Sequence, residues 1–382
     1  MQTVLVIDDE RPVAEAIAAA LVCGGRTIFL CSDAESAEVL LEPLNPALIL
    51  CDVRLTGSFR FEGLDFLDTI ARRAADAVVV LMSGAVSEEL RAEGQRRGAR
   101  AVLEKPFELQ EVEVLLEPCS EDGHGEVVTI PSLDAILGSR SFRPQFQPIV
   151  DLKRGGVLGF ESLARPGTAS PFDNPELLFA YAARRLRVAD LELACIERTF
   201  ETAPDLGDRR LLFMNIHPAV LLECARLEEL LLRASTLRGI PLSRVVCELT
   251  EQNHLPNTAR THDAIDRLRT LGVRFAFDDV GMAYSHLPLI DRIRPAFLKV
   301  SQHFGTGFEL DSARSKLVSN LLSLARDFDA SLILEGIESA ATGDAARALG
   351  IPFGQGYFYA RPLAPAEAQR YELSARPGGA ST

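Results

Sequence analysis

The sequence lacks the features that mark membrane proteins and nucleic-acid-binding proteins. No apolar stretch approaches the ~18 residues that a membrane-spanning helix needs, and the first residues, Met1 to Val4, include no basic side chain. No run of like charge forms an arm or a tail, and the formal net charge is −14. A chain of this charge repels polyanions and anionic surfaces. We therefore expect a cytoplasmic protein that binds neither a membrane nor a nucleic-acid polymer.

Cysteine and lysine are both scarce. The seven cysteines are odd in number, and none stands in a CxxC pair, which excludes the redox and metal motifs built on that spacing. We expect most of them to be small buried hydrophobic residues. Of the 40 basic residues, only four are lysine, namely Lys105, Lys153, Lys299 and Lys316. A lysine inside an apolar strand of this chain therefore needs a chemical reason.

What the chain does contain is ordinary globular material in a quantity that suits more than one domain. Its 382 residues are 47% hydrophobic and 25% charged, which excludes a disordered or fibrous protein. Domains usually have about 150 residues, so the length predicts two or three. We see no repeat of a length that would indicate a solenoid.

The N-terminal part alternates short apolar runs with helical patterns. This alternation predicts a doubly wound, five-stranded parallel sheet of the flavodoxin-like type over residues 1–118. The predicted strands are Thr3–Ile7, Thr27–Cys31, Ala47–Val53, Ala77–Ser83 and Arg100–Leu103. After Pro118 the sequence has helix breakers and no periodicity, so residues 119–132 are predicted to be a linker.

The C-terminal part repeats strands and helices over a longer distance. The size and rhythm of residues 133–376 predict a TIM-like barrel, and residues 377–382 a disordered tail. The predicted strands are Phe142–Val150, Val157–Leu163, Leu211–Ile216, Val245–Leu249, Arg274–Phe277, Ala296–Val300, Ser331–Leu334 and Gly356–Tyr359.

Charged and polar residues follow the strands of the N-terminal sheet. In open parallel sheets, ligands bind at the carboxyl ends of the strands. Three carboxylates there form a hard-oxygen site that suits Mg²⁺, and one of them could accept a phosphoryl group. Each residue also has a simpler explanation, such as a helix cap or a neutralising charge. The residues are Asp8, Asp9, Asp52, Ser83 and Lys105.

This arrangement resembles the receiver domain of two-component response regulators. The resemblance implies that Asp52 is the phosphoacceptor, that Asp8 and Asp9 bind one Mg²⁺, and that Ser83 and Lys105 contact the phosphoryl group. It also implies a sensor histidine kinase as the partner that supplies the phosphoryl group.

A second set of polar residues ends the predicted barrel strands. In TIM barrels the chemistry takes place at this end. Five carboxylates and one amide suit Mg²⁺ or Mn²⁺ rather than zinc, and so many charges favour two metal ions, which suit phosphate ester hydrolysis. Lys299 could orient or deprotonate a water molecule, and Arg165 could bind a phosphate. The six residues are Glu161, Asn215, Glu248, Asp278, Asp279 and Glu335.

Here the sequence resembles an EAL domain, the phosphodiesterase of the bacterial second messenger cyclic di-GMP. Glu161-Ser162-Leu163 takes the place of the name-giving triplet, and Gln145 to Ile149 resembles the opening strand. The resemblance implies hydrolysis of cyclic di-GMP to linear pGpG, with Lys299, Glu161 and Glu335 as catalytic residues and the six acidic and amide residues as metal ligands or their supports. It implies a homodimer as well. Its implied substrate-binding residues are Gln147, Leu163, Arg165, Glu338 and Gln355, and its implied loop-supporting residues are Glu251 and Gly281.

The loop after the paired aspartates departs from the family. It reads Asp278-Asp279-Val280-Gly281-Met282-Ala283-Tyr284-Ser285-His286, whereas the family usually has Phe, Thr and a second Gly after the aspartates. A barrel that binds cyclic di-GMP as a weak or inactive receptor is therefore an alternative, and a hydrolase of another phosphodiester is a third. The chain has no Gly-Gly-Asp/Glu-Glu-Phe stretch, so the resemblance does not extend to synthesis of the messenger.

Overall fold

The computed structural model describes residues 2–55, 63–108, 110–116, 118, 124–250, 258–281 and 287–371. The chain forms two compact units. One comprises Met1–Ser141 and Pro166–Arg187, and we call it the receiver unit; the other comprises Phe142–Arg165 and Val188–Thr382, and we call it the barrel unit. None of the helices within the described ranges is long and apolar enough to cross a membrane.

The receiver unit contains six strands and seven helices in its described residues. They are β1 (Gln2–Ile7), α1 (Arg11–Leu21), β2 (Arg26–Cys31), α2 (Ala34–Leu44), β3 (Leu48–Asp52), α3 (Gly63–Arg73), β4 (Val78–Ser83), α4 (Glu88–Arg96), β5 (Ala101–Glu104), α5 (Gln110–Glu113), β6 (Glu126–Thr129), α6 (Leu133–Ser139) and α7 (Pro175–Arg184).

The sheet of the receiver unit is parallel and confirms the predicted doubly wound fold. Its strand order is β5-β4-β3-β1-β2-β6, and its central strands are buried because each is covered by helices on both faces. The parallel pairing brings the carboxyl ends of β1, β3, β4 and β5 to one edge of the sheet. The residues predicted to form the N-terminal site therefore meet at that edge.

The five strands predicted for residues 1–118 all form, and a sixth strand, which the sequence did not predict, extends the sheet. β6 pairs in parallel with β2, with Ile28 opposite Val127, and it lies inside the range predicted as a linker. Three of its four residues are exposed. Its side chains thus give no apolar periodicity, and the backbone hydrogen bonds that hold it leave no signal in the sequence.

The barrel unit contains eight strands and nine helices in its described residues. They are β7 (Gln145–Asp151), β8 (Val157–Leu163), α8 (Val188–Thr202), β9 (Leu211–Asn215), α9 (Pro218–Leu222), α10 (Cys224–Arg238), β10 (Val245–Thr250), α11 (Ala259–Thr270), β11 (Arg274–Val280), α12 (Leu287–Ile293), β12 (Phe297–Val300), α13 (Gln302–Gly305), α14 (Ser312–Asp327), β13 (Ser331–Leu334), α15 (Ala340–Leu349), β14 (Phe353–Gly354) and α16 (Pro365–Arg370).

The eight strands close into a barrel, which confirms the predicted TIM-like fold. The order around the barrel is β10-β11-β12-β13-β14-β7-β8-β9. β7 is antiparallel to both of its neighbours, whereas the other strands are parallel. Inward-facing residues such as Phe213, Val246 and Phe297 fill the barrel, and a larger apolar cluster packs the helices on its outside. The acidic end of the barrel therefore stands on a packed interior.

The last predicted strand, Gly356–Tyr359, is wrong. The eighth strand is β14, and Gly354 pairs with Leu334 on one side and Val150 on the other. Gly356 follows in a turn, where an added Cβ would lie 2.1 Å from the backbone oxygen of Ile337. The aromatic residues after Gly356 look like a strand in the sequence, but this close approach bends the chain away from the sheet.

Candidate functional site

The barrel strands bring all six predicted oxygen-bearing residues to one end. Five of them lie on four adjacent strands: Glu161 on β8, Asn215 on β9, Glu248 on β10, and Asp278 and Asp279 on β11. The sixth, Glu335, directly follows β13.

The register of the strands explains why these residues meet. Asn215 stands opposite Glu248, and Gln147 stands opposite Glu161. Side chains that share a level in a barrel point into the same layer of its interior. Glu161 and Glu248 are accordingly almost completely buried.

Lys299 lies at the centre of the acidic cluster and is completely buried. Its Nζ atom is 2.8 Å from Glu335 Oε1, 3.1 Å from Glu248 Oε1, and 3.2 Å from both Glu161 Oε2 and Asp278 Oδ2. One ammonium group therefore contacts four carboxylates from four different strands or strand ends. This arrangement supplies the chemical reason for a lysine in the apolar strand β12.

The electrostatics of the cluster follow from burial and from this shared cation. Burial raises the pKa of Glu248 and of Asp278, and the negative charge of Glu161 adds to both effects. Burial raises the pKa of Glu335 to about 8. Burial opposes the charge of Lys299, but the surrounding carboxylates outweigh it and raise its pKa, so this side chain is a cation in the arrangement seen here.

Glu161 is the exception among the buried carboxylates. Burial disfavours its charged form, but Lys299 and a hydrogen bond from Gln355 outweigh that effect and lower its pKa. Gln355 Nε2 donates to Glu161 Oε2 at 2.7 Å and lies 3.1 Å from Gln147 Oε1, while Gln147 Nε2 donates to the backbone oxygen of Ala360 at 3.2 Å. Lys299 therefore favours the ionised state of Glu161 most strongly, and the chain of amides adds to this effect and fixes the orientation of the carboxylate.

The donor set fits divalent cations. Two groups of carboxylates bring one oxygen from each member within 4.8 Å of the others: Glu161, Glu248 and Asp278 form one, and Asp278, Asp279 and Glu335 form the second. Glu248 Oε2 is buried and accepts no hydrogen bond from the described residues. Oxygen ligands that are buried and not satisfied by the protein suit hard cations such as Mg²⁺ or Mn²⁺.

The backbone at the end of β11 has an unusual conformation that aims two adjacent aspartates into the cluster. Asp279 has φ 56°, a left-handed backbone conformation that residues other than glycine rarely adopt. Its backbone N–H donates to Asp278 Oδ1 at 2.8 Å. Gly281 has φ 110°, and a Cβ there would lie 3.1 Å from the ring of Phe304. The chain thus requires glycine at residue 281, where the resemblance implies loop support. Glu251, the other loop-supporting residue, lies outside the described residues.

The remaining predicted substrate residues lie at the same end of the barrel. Arg165 follows β8, with its Nε donating to Gln145 Oε1 at 3.1 Å and its Nη1 to the Ala164 backbone oxygen at 2.9 Å. Leu163 ends β8 and is half-buried, and Glu338 is exposed three residues after Glu335. Gln145, which orients Arg165, is a residue that the sequence analysis did not single out as functional.

The N-terminal site forms around a second lysine. Lys105 Nζ lies 2.6 Å from Asp8 Oδ2 and 2.9 Å from Asp52 Oδ1. Ser83 ends the neighbouring strand and is buried, and Asp9 follows Asp8 at the edge of the sheet. The predicted residues therefore converge on one edge, with Asp52 between the lysine and the N–H of Arg54, which donates to Asp52 Oδ2 at 3.0 Å.

Burial controls the ionisation of this second site too. It raises the pKa of Asp52, and the nearby charge of Asp8 adds to the rise while Lys105 opposes it. Burial lowers the pKa of Lys105, but the hydrogen bonds of Lys105 to Asp8 and Asp52 outweigh this effect, so the pKa is raised overall. A Cβ at Gly63 would lie 2.3 Å from the backbone oxygen of Asp52, which accounts for glycine at this residue. The first residue of α3 thus packs directly against the backbone of the residue that carries the carboxylate.

Comparison with protein families agrees with this geometry. The model described as EAL domain matches residues 132–362, and the model described as response regulator receiver domain matches residues 4–117. The chain belongs to the EAL domain family. It carries an N-terminal receiver domain and a C-terminal EAL domain, as the sequence analysis predicts.

Individual relatives share this organisation or the fold of the EAL domain. Cyclic di-GMP phosphodiesterase RocR of Pseudomonas aeruginosa is 28% identical over 382 residues, which cover 94% of this chain and 96% of RocR. The EAL enzyme Bd1971, solved in a form with cAMP and cyclic di-GMP bound, has a TM-score of 0.56 at 22% identity and matches 62% of this chain and 65% of its own. Klebsiella pneumoniae BlrP1, solved at pH 8.0 as a complex with calcium and cyclic di-GMP, has a TM-score of 0.52 at 25% identity and matches 62% of this chain and 58% of its own. The chain thus spans less than two thirds of either solved structure.

Within the EAL domain, the substitution in the name-giving triplet does not reach the acidic cluster. Ser162 points to the helix layer, where its hydroxyl hydrogen-bonds the hydroxyl of Thr199 at 2.8 Å. Glu161 and Leu163, on either side, have the opposite orientation because successive residues of a strand face opposite ways. An Ala-to-Ser change at this position therefore alters outer packing and leaves the acidic face of the strand unchanged.

Proposed function

We propose that this protein is a response regulator whose EAL domain hydrolyses cyclic di-GMP to linear pGpG under the control of receiver phosphorylation. The observation that carries the proposal is the buried Lys299, whose ammonium group lies 2.8–3.2 Å from four carboxylates at the mouth of the barrel. The likeness to RocR, a cyclic di-GMP phosphodiesterase, extends over 94% of the chain and supports the same substrate.

Two divalent cations fit the charge of the proposed site. Its five carboxylates and one ammonium group leave four negative charges when all are ionised, and two ions of charge +2 would balance them. Glu161, Glu248 and Asp278 would hold one ion, and Asp278, Asp279 and Glu335 the other, with Asn215 beside Glu248 as a further oxygen donor. When bound, such ions stabilise phosphoryl oxygens and lower the pKa of water.

The chain's own residues bind the substrate and orient the reacting groups. Arg165 binds a phosphate of the cyclic dinucleotide through its guanidinium, which Gln145 orients. Lys299, as a cation, orients the attacking water and offsets negative charge that develops on the phosphoryl group. The water oxygen bonds to phosphorus and the water loses one proton, while one ester P–O bond breaks and the leaving ribose oxygen takes up one proton. One water molecule is thus consumed, and the ring opens to pGpG.

The receiver domain supplies the control. Asp52 accepts the phosphoryl group from a sensor histidine kinase, and Asp8 and Asp9 hold the Mg²⁺ that this chemistry requires. Lys105, within 2.9 Å of Asp52 in the present arrangement, contacts the phosphoryl oxygens together with Ser83. We include a homodimer in the proposal because the family resemblance implies one.

Turnover by the purified protein tests the proposal. Cyclic di-GMP with Mg²⁺ or Mn²⁺ should yield pGpG on chromatography, and Glu161→Ala and Lys299→Ala should each abolish the product. Glu229→Ala, which removes an exposed carboxylate from α10, should retain full turnover. Binding of cyclic di-GMP in Ca²⁺ without turnover in Mg²⁺ or Mn²⁺ would contradict hydrolysis and make the protein a receptor.

A further inference from the structure

We propose that the segment Pro166–Arg187 couples the phosphorylation state of the receiver to the position of Arg165, with Tyr181 as the positioning residue. The inference rests on the proposed function and deepens it, because it names the route of control. The segment belongs to the EAL domain by family match, yet it packs entirely within the receiver unit. It therefore joins the two units covalently at both of its ends.

A buried tyrosine fixes the segment to the receiver. Tyr181 on α7 is 0% exposed, and its hydroxyl donates to Asp33 Oδ2 at 2.8 Å. The same hydroxyl accepts a hydrogen bond from the backbone N–H of Leu133 at 3.3 Å, so both its donor and acceptor capacities are used. Its ring stacks on Phe172, with the centroids 4.9 Å apart and the planes 9° from parallel. A buried, fully satisfied hydroxyl specifies one position for the helix, since any shift leaves polar groups unpaired.

The acceptor, Asp33, stands at the chemically active edge of the receiver sheet. It follows β2 by two residues and caps α2, with its Oδ1 accepting from the N–H of Ser36 at 2.7 Å. The last residue of β2, Cys31, accepts a backbone hydrogen bond from Asp8 at 3.0 Å. Asp8 in turn contacts Lys105, which contacts Asp52. A short path of hydrogen bonds and ion pairs thus connects the phosphoacceptor to the residue that holds Tyr181.

Charge complementarity reinforces this attachment. Arg184 Nη2 lies 3.0 Å from Glu38 Oε1, and Arg185 Nη1 lies 3.7 Å from Glu35 Oε2. Both glutamates are on α2 and are nearly buried, with side-chain exposures of 10% and 1%. Partly buried pairs resist screening by salt better than exposed pairs do. These contacts hold α7 against α2.

The other end of the segment meets the substrate-binding arginine. Arg165 is the last residue before the segment, and the acceptors that hold its side chain among the described residues are neutral, namely Gln145 Oε1 and the backbone oxygen of Ala164. These acceptors carry no charge and therefore hold the guanidinium less tightly than a carboxylate would, so a displacement of the backbone repositions it. A change at the β2–α2 connection is therefore transmitted to the phosphate-binding group through the chain itself.

The test uses Tyr181→Phe, which keeps the stacked ring and removes only the hydroxyl. Tyr371→Phe is the matched control, because its hydroxyl donates to the backbone oxygen of Tyr359 within the barrel unit. Beryllofluoride with Mg²⁺ serves as the phosphoryl mimic at Asp52. Amide hydrogen exchange of α7 and of the end of β8 is measured with and without beryllofluoride, along with KM and kcat for cyclic di-GMP.

In the wild type and in Tyr371→Phe, we expect beryllofluoride to change exchange at α7 and at the end of β8, and to change KM by about fivefold with a smaller effect on kcat. In Tyr181→Phe, we expect the receiver peptides to respond as before, the end of β8 not to respond, and the ratio of KM values to fall below about twofold. A merely structural tyrosine would lower the activity of both states and leave that ratio unchanged.

Two results would overturn the inference. One is a Tyr181→Phe protein in which the end of β8 and KM respond to beryllofluoride as fully as in the wild type. The other is a wild type in which α7 does not respond at all. Because hydrogen exchange requires no turnover, these outcomes are distinguishable from a failure of the proposed hydrolysis.

Discussion

Replacing Lys299 by methionine provides the sharpest test of the electrostatic description of the barrel mouth. The side chain is fully buried, and its ammonium group is shared by Glu161, Glu248, Asp278 and Glu335. Methionine has a similar length and no charge, so Lys299→Met removes the cation with little change in volume. The four carboxylates would remain in the same buried space without it.

The structure sets the size and the pH dependence of the effect. At an effective dielectric constant of about 20, unit charges about 3 Å apart attract each other by roughly 5 kcal/mol, which the burial of the charges largely offsets. Removing one partner of a buried ion pair costs about 3–5 kcal/mol, and four partners here favour the upper end. The remaining carboxylates would have raised pKa values in the folded variant. Raised folded values give stability that is present at low pH and lost as the pH rises, so the deficit should be larger near pH 8 than near pH 5.

The assay is unfolding of the full-length protein by urea in EDTA. Amide hydrogen exchange of peptides from the barrel unit reports how far that unit has unfolded. Lys316→Met, which removes an exposed lysine from α14, is the matched control and should unfold as the wild type does. Addition of Mg²⁺ or Mn²⁺ should restore part of the lost stability in Lys299→Met, because the cation replaces the missing charge. Equal stability of the variant and wild type in EDTA, or a deficit that grows as the pH falls, would refute the reasoning.

Three further predictions concern single side chains. Asp52→Asn should abolish labelling by acetyl phosphate, whereas the exposed Asp68→Asn should label normally; retained label in the first variant would place the acceptor elsewhere. Gln355→Leu removes the 2.7 Å hydrogen bond to Glu161. In a metal titration of activity, the affinity for the activating metal should fall by about 10-fold or more, because residues that hydrogen-bond metal ligands typically have effects of that size. An unchanged midpoint would contradict the role of Gln355. Burial raises the pKa of Glu192 to about 8. The folded protein therefore has its full stability at a pH below the ordinary glutamate pKa, and it loses part of that stability as the pH rises through about 8. Glu192→Gln should therefore be more stable than the wild type near pH 8, by at most roughly 4 kcal/mol in urea unfolding, and the advantage should vanish near pH 4; an advantage that persists at low pH would exclude this cause.

The residues at strand ends were predictable because parallel strands impose a simple rule. An apolar run such as Leu48–Cys51 ends in Asp52, and Phe297–Leu298 is followed by Lys299, so the sequence alone indicates which polar groups lie at the carboxyl edge. The structure brings these groups together as expected. Two features could not be predicted, because both depend on the register of the strands around the closed barrel. One is the contact of four carboxylates with a single ammonium group, and the other is the hydrogen bond from Gln355 to Glu161.

The elements that the sequence did not predict are held by interactions without a local pattern. β6 is an exposed edge strand whose stability derives from backbone hydrogen bonds to β2, and its side chains carry no periodic signal. The contact of Tyr181 with Asp33 joins residues 148 positions apart in the chain. A tyrosine among apolar residues usually indicates core packing, so only the three-dimensional structure shows that the hydroxyl of Tyr181 holds an aspartate beside the receiver site.

The scarcity of lysine acquires a common explanation from both sites. Arginine presents a planar fork of donors that suits one carboxylate or one phosphate, whereas the ammonium group of lysine is a compact charge that several oxygens can surround. Lys105 contacts two carboxylates and Lys299 contacts four, in spaces where a guanidinium would not reach all of them. Two of the four lysines, Lys105 and Lys299, thus lie where one cation must balance several acids. Because the carboxylates around Lys299 also fit divalent cations, the lysine and the metal would share the same ligands there, and the charge that remains after the lysine is counted is the charge that metal ions would balance.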